Sequence, residues 1–168
     1  MYKDFNNNNV IQGLKLKPYN QLNDVEKSYF EMFFGEIDTT HVYCVYCPSI
    51  PNSVCGYVRL APNKITNSEQ FRDMCISTDA HYGECSIDTI ESCLGFQIKD
   101  WCLESQFENN DLLLNTLTES IFGQLWEQNK TKMFVWGYSN GNLRFKCIDL
   151  SDDQQPEYAS NIKDIFKV

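Results

Sequence analysis

Ser105-Gln-Phe-Glu-Asn-Asn-Asp-Leu-Leu-Leu-Asn-Thr-Leu117, or SQFENNDLLLNTL, separates an extended pattern from a helical one. Many α/β enzymes place a phosphate-binding loop at such a corner, yet this stretch holds neither glycine nor cation. Before it, Gly95 to Glu104 alternates, with Phe96, Ile98, Asp100, Cys102 and Glu104 on one face and Gln97, Lys99, Trp101 and Leu103 on the other. Both faces are mixed, as in an interior strand beside a site. After it, Leu114, Leu117, Ile121 and Leu125, widened by Leu113, Phe122 and Trp126, make the apolar stripe of a helix that ends near Asn129. Ser105 and Glu108 have capping-box spacing, and Glu108 and Asp111 put carboxylates where a helix start favours them.

Toward the N-terminus, Val10 to Lys17 reads as a half-exposed strand ended by Pro18. Asn23 to Phe34 follows as a helix, with Val25, Tyr29, Met32 and Phe33 at helical spacing, Asn23 capping in register with Glu26, and Gly35 as the stop. His41 to Cys47 and Val54 to Ala61 read as two strands of a hairpin across the Pro48–Ser53 segment, and Ser68 to Cys75 as a short helix in a weakly patterned stretch. Thr131 to Tyr138 is nearly continuous in apolar residues and reads as an interior strand, with Leu143 to Leu150 a strand or short helix after it. The expected organisation is a disordered polar tail over residues 1–9 and a single α/β (α+β) domain over residues 10–168.

A chain of 168 residues can build one packed core, burying on the order of 70% of its unfolded surface. No apolar run nears the roughly 20 residues that span a bilayer, and the opening lacks the basic start of a signal peptide, so the expectation is a cytoplasmic protein without a membrane partner. A formal charge of −9 argues against a nucleic-acid partner and permits a basic protein partner or a cationic amine substrate. Cys44 and Cys47 form a CxxC on a strand, where residues three apart point to opposite faces, and His41 lies far from His81. No metal site is expected, and the eight cysteines are expected to be reduced, mostly buried thiols.

The order strand, helix, two strands, irregular stretch, strand, long helix, strand resembles the GNAT superfamily of N-acetyltransferases. Leu14-Lys-Leu-Lys-Pro18 with Asp24 and the aromatic helix looks like the family's opening, and Val54-Cys-Gly-Tyr-Val-Arg-Leu60 like its third strand. Leu113 to Tyr138 looks like its central helix and next strand, and Asn140 or Asn142 falls where the family carries an asparagine. The resemblance implies a mixed, mainly antiparallel twisted sheet with helices on both faces. It also implies an acyl-CoA-dependent N-acyltransferase that uses acetyl-CoA or another acyl-CoA to acylate an amine of a small molecule or protein. The family's Gln/Arg-x-x-Gly-x-Gly/Ala signature is met at Gln106 alone, since both glycine positions carry side chains. Two other readings stand beside it. One is a catalytically inactive GNAT-like acidic binding or regulatory module. The other rests on Tyr57-Val-Arg-Leu-Ala-Pro62 followed by Phe71-Arg-Asp73, which resembles acyl-homoserine-lactone synthases drawing on a carrier protein, although their N-terminal Trp and Asp-x-Phe-Asp cluster are not visible.

Under the resemblance, Glu104 or Asp100 is the base and Tyr138 the acid. Cys102 and Leu103 would pair through their backbone with pantetheine, and Gln106, Phe107, Asn109, Asn110 and Asp111 would meet the pyrophosphate, with Asn140 beyond the next strand. Asn109 or Asn110 can take positive φ and so replace a glycine in part. Each residue also has a plainer use. The carboxylates suit caps or solvent, Phe30, Phe33 and Phe34 suit a core, Arg59 suits a solvated strand face, and Cys102, without a nearby His, suits a buried thiol.

Overall fold

The computed structural model describes residues 13–48, 53–65, 69, 93–105, 108–148, 158–159 and 162–167. They form an α+β fold with strands β1 (Lys15–Pro18), β2 (Val42–Tyr46), β3 (Gly56–Pro62), β4 (Leu94–Leu103), β5 (Met133–Ser139), β6 (Asn142–Ile148) and β7 (Tyr158–Ala159). The helices are α1 (Asp24–Phe34) and α2 (Asp111–Asn129). The strands follow chain order across one mostly antiparallel sheet. The exception is β4 with β5, which run parallel because α2 carries the chain back between them. The polar tail and the helix expected over Ser68 to Cys75 lie outside the described residues, apart from Glu69. No helix among the described residues is long and apolar enough to cross a membrane.

The chain divides into two compact units, one holding the described parts of Met1–Arg59 and Asp100–Gln124, the other those of Leu60–Lys99 and Leu125–Lys167. In the first, β1 pairs with β2 from Lys15↔Tyr46 to Pro18↔Tyr43, and β2 with β3 from Val42↔Arg59 to Val45↔Gly56. Pro18 is the last residue of its strand, as its missing N–H requires. The capping box at the start of α1 is complete: Asn23 Oδ1 accepts from the Glu26 amide at 2.8 Å and Glu26 Oε1 accepts from the Asn23 amide at 3.1 Å. Gly35, at φ 76°, ends the helix.

The buried face of α1 differs from the spacing-based expectation. Glu26 and Phe30 are buried, while Val25, Met32 and Phe33 are exposed. Two interactions decide this. Phe30 and Phe34 pack on the Tyr57 ring at 5.6 and 5.3 Å, and the buried Glu26 carboxylate meets the Lys17 ammonium at 2.9 Å. Counting apolar residues favours the other face because it treats Glu26 as a surface residue.

In the second unit, β4 and β5 pair from Leu94↔Met133 to Gln97↔Trp136, and β5 pairs with β6 along its whole length. Asn140 and Gly141, at φ 50° and 82°, make the tight turn between them, a conformation open to Asn and Gly. β5 is buried at every position but Tyr138, as its apolar run predicts for an interior strand. Phe134 stacks on Phe145 at 5.5 Å, and Gly137 leaves room for Ile165 of the C-terminal 3-10 turn, whose Cδ1 would lie 2.8 Å from an added Cβ. The chain between Leu143 and Ile148 settles as strand rather than helix.

Candidate functional site

The candidate site lies on the first unit, where β3 and the C-terminal half of β4 meet the entrance of α2. The Glu104 amide donates to the Cys55 carbonyl at 3.1 Å. Counting back along both strands from that bond brings Tyr57 level with Cys102 and Arg59 level with Asp100. Arg59 Nε donates to Asp100 Oδ2 at 2.9 Å and Nη1 donates to the Thr40 carbonyl at 2.7 Å. Gly56 allows this close pairing, because a Cβ there would sit 2.6 Å from Leu103 Cδ2 and 2.8 Å from the Cys102 carbonyl.

This face combines an aromatic floor with a row of polar groups. Phe30, Phe34 and Tyr57 form the floor. Burial raises the Tyr57 phenol above its ordinary range, with electrostatic contributions from Asp100 and then Cys102 adding and Arg59 opposing. Cys102 is half-buried, and burial followed by the Glu108 charge pushes its thiol up as well. A thiol held in its neutral form is a poor nucleophile, which counts against covalent chemistry at Cys102. Nearby, Asp38 sits below the usual carboxylate range, chiefly because the Thr40 hydroxyl and then its amide donate to it.

At the helix entrance, the expected Ser105–Glu108 capping box is replaced by another arrangement. α2 begins at Asp111, and Asn110 caps it, with Oδ1 accepting from the Leu113 amide at 3.1 Å. Asn109 takes φ 58°, a left-handed conformation that asparagine tolerates better than most residues. The Glu108 amide donates instead to the Ser105 carbonyl at 3.3 Å.

Asp100, Cys102, Leu103, Glu104, Asn109, Asn110 and Asp111 therefore belong to one unit. Asp100 is engaged by Arg59, with half of its side chain exposed, while Leu103 is buried. Tyr138 and Asn140 belong to the second unit, Tyr138 exposed with its ring edge-on to Trp136 at 5.8 Å and Asn140 within the β5–β6 turn. Gln106 and Phe107 lie outside the described residues. Sequence reasoning missed the Arg59–Asp100 pair, although residues 41 positions apart on two predicted strands offered opposite charges as a signal.

Among the described residues, no three His, Cys, Asp or Glu side chains gather in a way that could hold a metal ion. Cys44, Cys47, Cys55, Cys93 and Cys147 are buried free thiols. Comparison of the chain with protein-family models, with curated proteins and with solved structures finds no match.

Proposed function

We propose that the chain is an acyl-CoA-dependent N-acyltransferase with an atypical cofactor corner. The observation that supports this reading best is the β4–α2–β5 crossover, a parallel pairing in a mostly antiparallel order of the described strands, with Asn109 in a left-handed conformation at its corner. Ligands of mixed and parallel sheets gather where a strand end meets a helix start, because unpaired amides and the helix dipole converge there. Glu104, half-buried and directly after β4 at this corner, is the proposed base. It would take a proton from the acceptor ammonium. The freed amine would attack the thioester carbonyl, forming the C–N bond as the C–S bond breaks, and the leaving thiolate would regain a proton.

Incubation with acetyl-CoA and a panel of amines, followed by mass spectrometry of the acceptors, tests the reading. Acetylated product that disappears with Glu104→Gln supports it, and no product from any amine counts against it. A second reading, a binding module without catalysis, is favoured by the Asn110 side chain that already fills the Leu113 amide and by the Glu108 charge, which acts on Cys102. That reading expects neither product nor cofactor binding.

A further inference from the structure

We propose that Cys93 and Cys147 form a buried two-thiolate site for a soft monovalent cation, Cu(I). Their sulfurs lie 3.8 Å apart, although the residues are 54 positions apart in the chain and come from different elements of the second unit. Cys93 immediately precedes β4 and Cys147 belongs to β6, the two strands that flank β5. Both side chains are enclosed, at 1% and 2% exposure. Phe134, level with Cys147 on β5, and Phe145 are wholly buried, so the surroundings are apolar. The acyl transfer proposed above uses neither sulfur.

Distance selects the occupant. Strands two places apart in a sheet run roughly 9.6 Å from each other, whereas a disulfide needs its Cα atoms within about 7 Å. Oxidation to a disulfide would require the sulfurs to close by about 1.8 Å and draw the flanking strands together across β5. A bridging ion requires less movement. With thiolate–metal bonds of about 2.3 Å, the present span already corresponds to an angle of roughly 110° at the ion, and a linear arrangement needs only about 0.8 Å of opening, within reach of side-chain rotation. Zinc at that angle would need two further ligands, and among the described residues no third His, Cys, Asp or Glu joins the pair. Cu(I) is complete with two thiolates and is soft enough to prefer sulfur to oxygen. On binding, each thiol releases its proton as its sulfur bonds the ion, no electron is transferred, and the site passes from neutral to a single negative charge. The Leu94↔Met133 register brings the half-buried Lys132 level with Cys93, which sets a cation at the end of the ladder where that charge forms.

Competition between the reduced full chain and a chromophoric Cu(I) chelator, without oxygen, tests the proposal. The first equivalent of Cu(I) should bind with release of two protons and raise the melting temperature. Cys93→Ser and Cys147→Ser should each weaken that equivalent by at least about a hundredfold, the upper end for a residue that merely supports a metal ligand, while Cys102→Ser leaves it unchanged. X-ray absorption on the wild-type chain carrying one ion should show two sulfur neighbours, an outcome that stands even where a serine variant fails to fold. Three or more sulfur neighbours, or equal binding by the folded Cys93→Ser/Cys147→Ser chain, would overturn the proposal. So would a Cys93–Cys147 disulfide found by peptide mapping where the ion should sit.

Discussion

The seating of α1 depends on a buried carboxylate, which makes Glu26 the position where perturbation is most informative. Its Oε1 accepts from the Asn23 amide at 3.1 Å and from Lys17 Nζ at 3.0 Å, and its Oε2 lies 2.9 Å from the same ammonium. The side chain of Glu26 is 7% exposed and that of Lys17 21%. Breaking a fully buried pair costs about 3–5 kcal/mol and a surface pair about 0–1 kcal/mol, so this intermediate pair should cost about 2 kcal/mol when one partner is lost. Glu26→Gln keeps an acceptor for Asn23 but turns an amide donor toward the Lys17 ammonium, and should lose about 2 kcal/mol. Glu26→Ala also strands the Asn23 amide and should lose about 3 kcal/mol in all. Lys17→Met leaves the carboxylate facing a methyl group and should cost a similar 2 kcal/mol or so. Combined with Glu26→Gln it should recover much of that loss, for a coupling energy of about 1–2 kcal/mol. Urea unfolding with unchanged m-values measures all four proteins. Single losses below about 0.5 kcal/mol, or no coupling, would mean that solvent screens the pair and that Phe30 alone seats the helix.

Four further outcomes follow from the same geometry. Burial foremost, then the Glu26 charge, pushes the Cys44 thiol up to about 12, with Lys17 opposing, while in the unfolded chain the thiol ionises from its ordinary value of 9.0. Between those values the unfolded chain binds fewer protons than the folded one. Stability is therefore fully retained below pH 9.0 and falls above it, by about 1.4 kcal/mol per pH unit for this thiol. Cys44→Ala should flatten that part of the alkaline unfolding series, and an unchanged slope would contradict the assignment. Cys102, half-buried where the other described thiols are buried, should be the first of them alkylated by iodoacetamide. Glu108→Gln should speed that alkylation by removing the charge that helps keep the thiol protonated, which peptide mapping would detect. Neutralising Glu108 and Asp111 together should also tighten acetyl-CoA binding by about two- to fivefold, the effect of removing like charge from a helix start, as read by titration calorimetry.

Most of the strand and helix order is legible in the residues because its signals are local. The Asn23–Glu26 spacing specifies a cap, and the unbroken apolar run of β5 an interior strand. What fails is what depends on distant partners. The face α1 buries is chosen by Lys17 and Tyr57, neither of which the helix sequence contains, so apolar periodicity selects the wrong side. The cap of α2 moves from Ser105 to Asn110 because either residue has the chemistry and the helix begins only at Asp111, which residue spacing does not fix. At the candidate site, the alternation of β4 correctly groups Asp100 and Cys102 on one face. The partner that occupies Asp100 comes from β3, and strand pairing is not written in either strand alone.

The measurement closest to the centre of the account is acetyl-CoA binding by the full chain, followed by titration calorimetry and thermal unfolding together. The proposed cofactor corner predicts a saturable single-site isotherm and a matching rise in melting temperature, since ligand at a hundredfold excess over Kd stabilises the folded state by about 2.7 kcal/mol. Absence of both heat and stabilisation up to millimolar acetyl-CoA would contradict it.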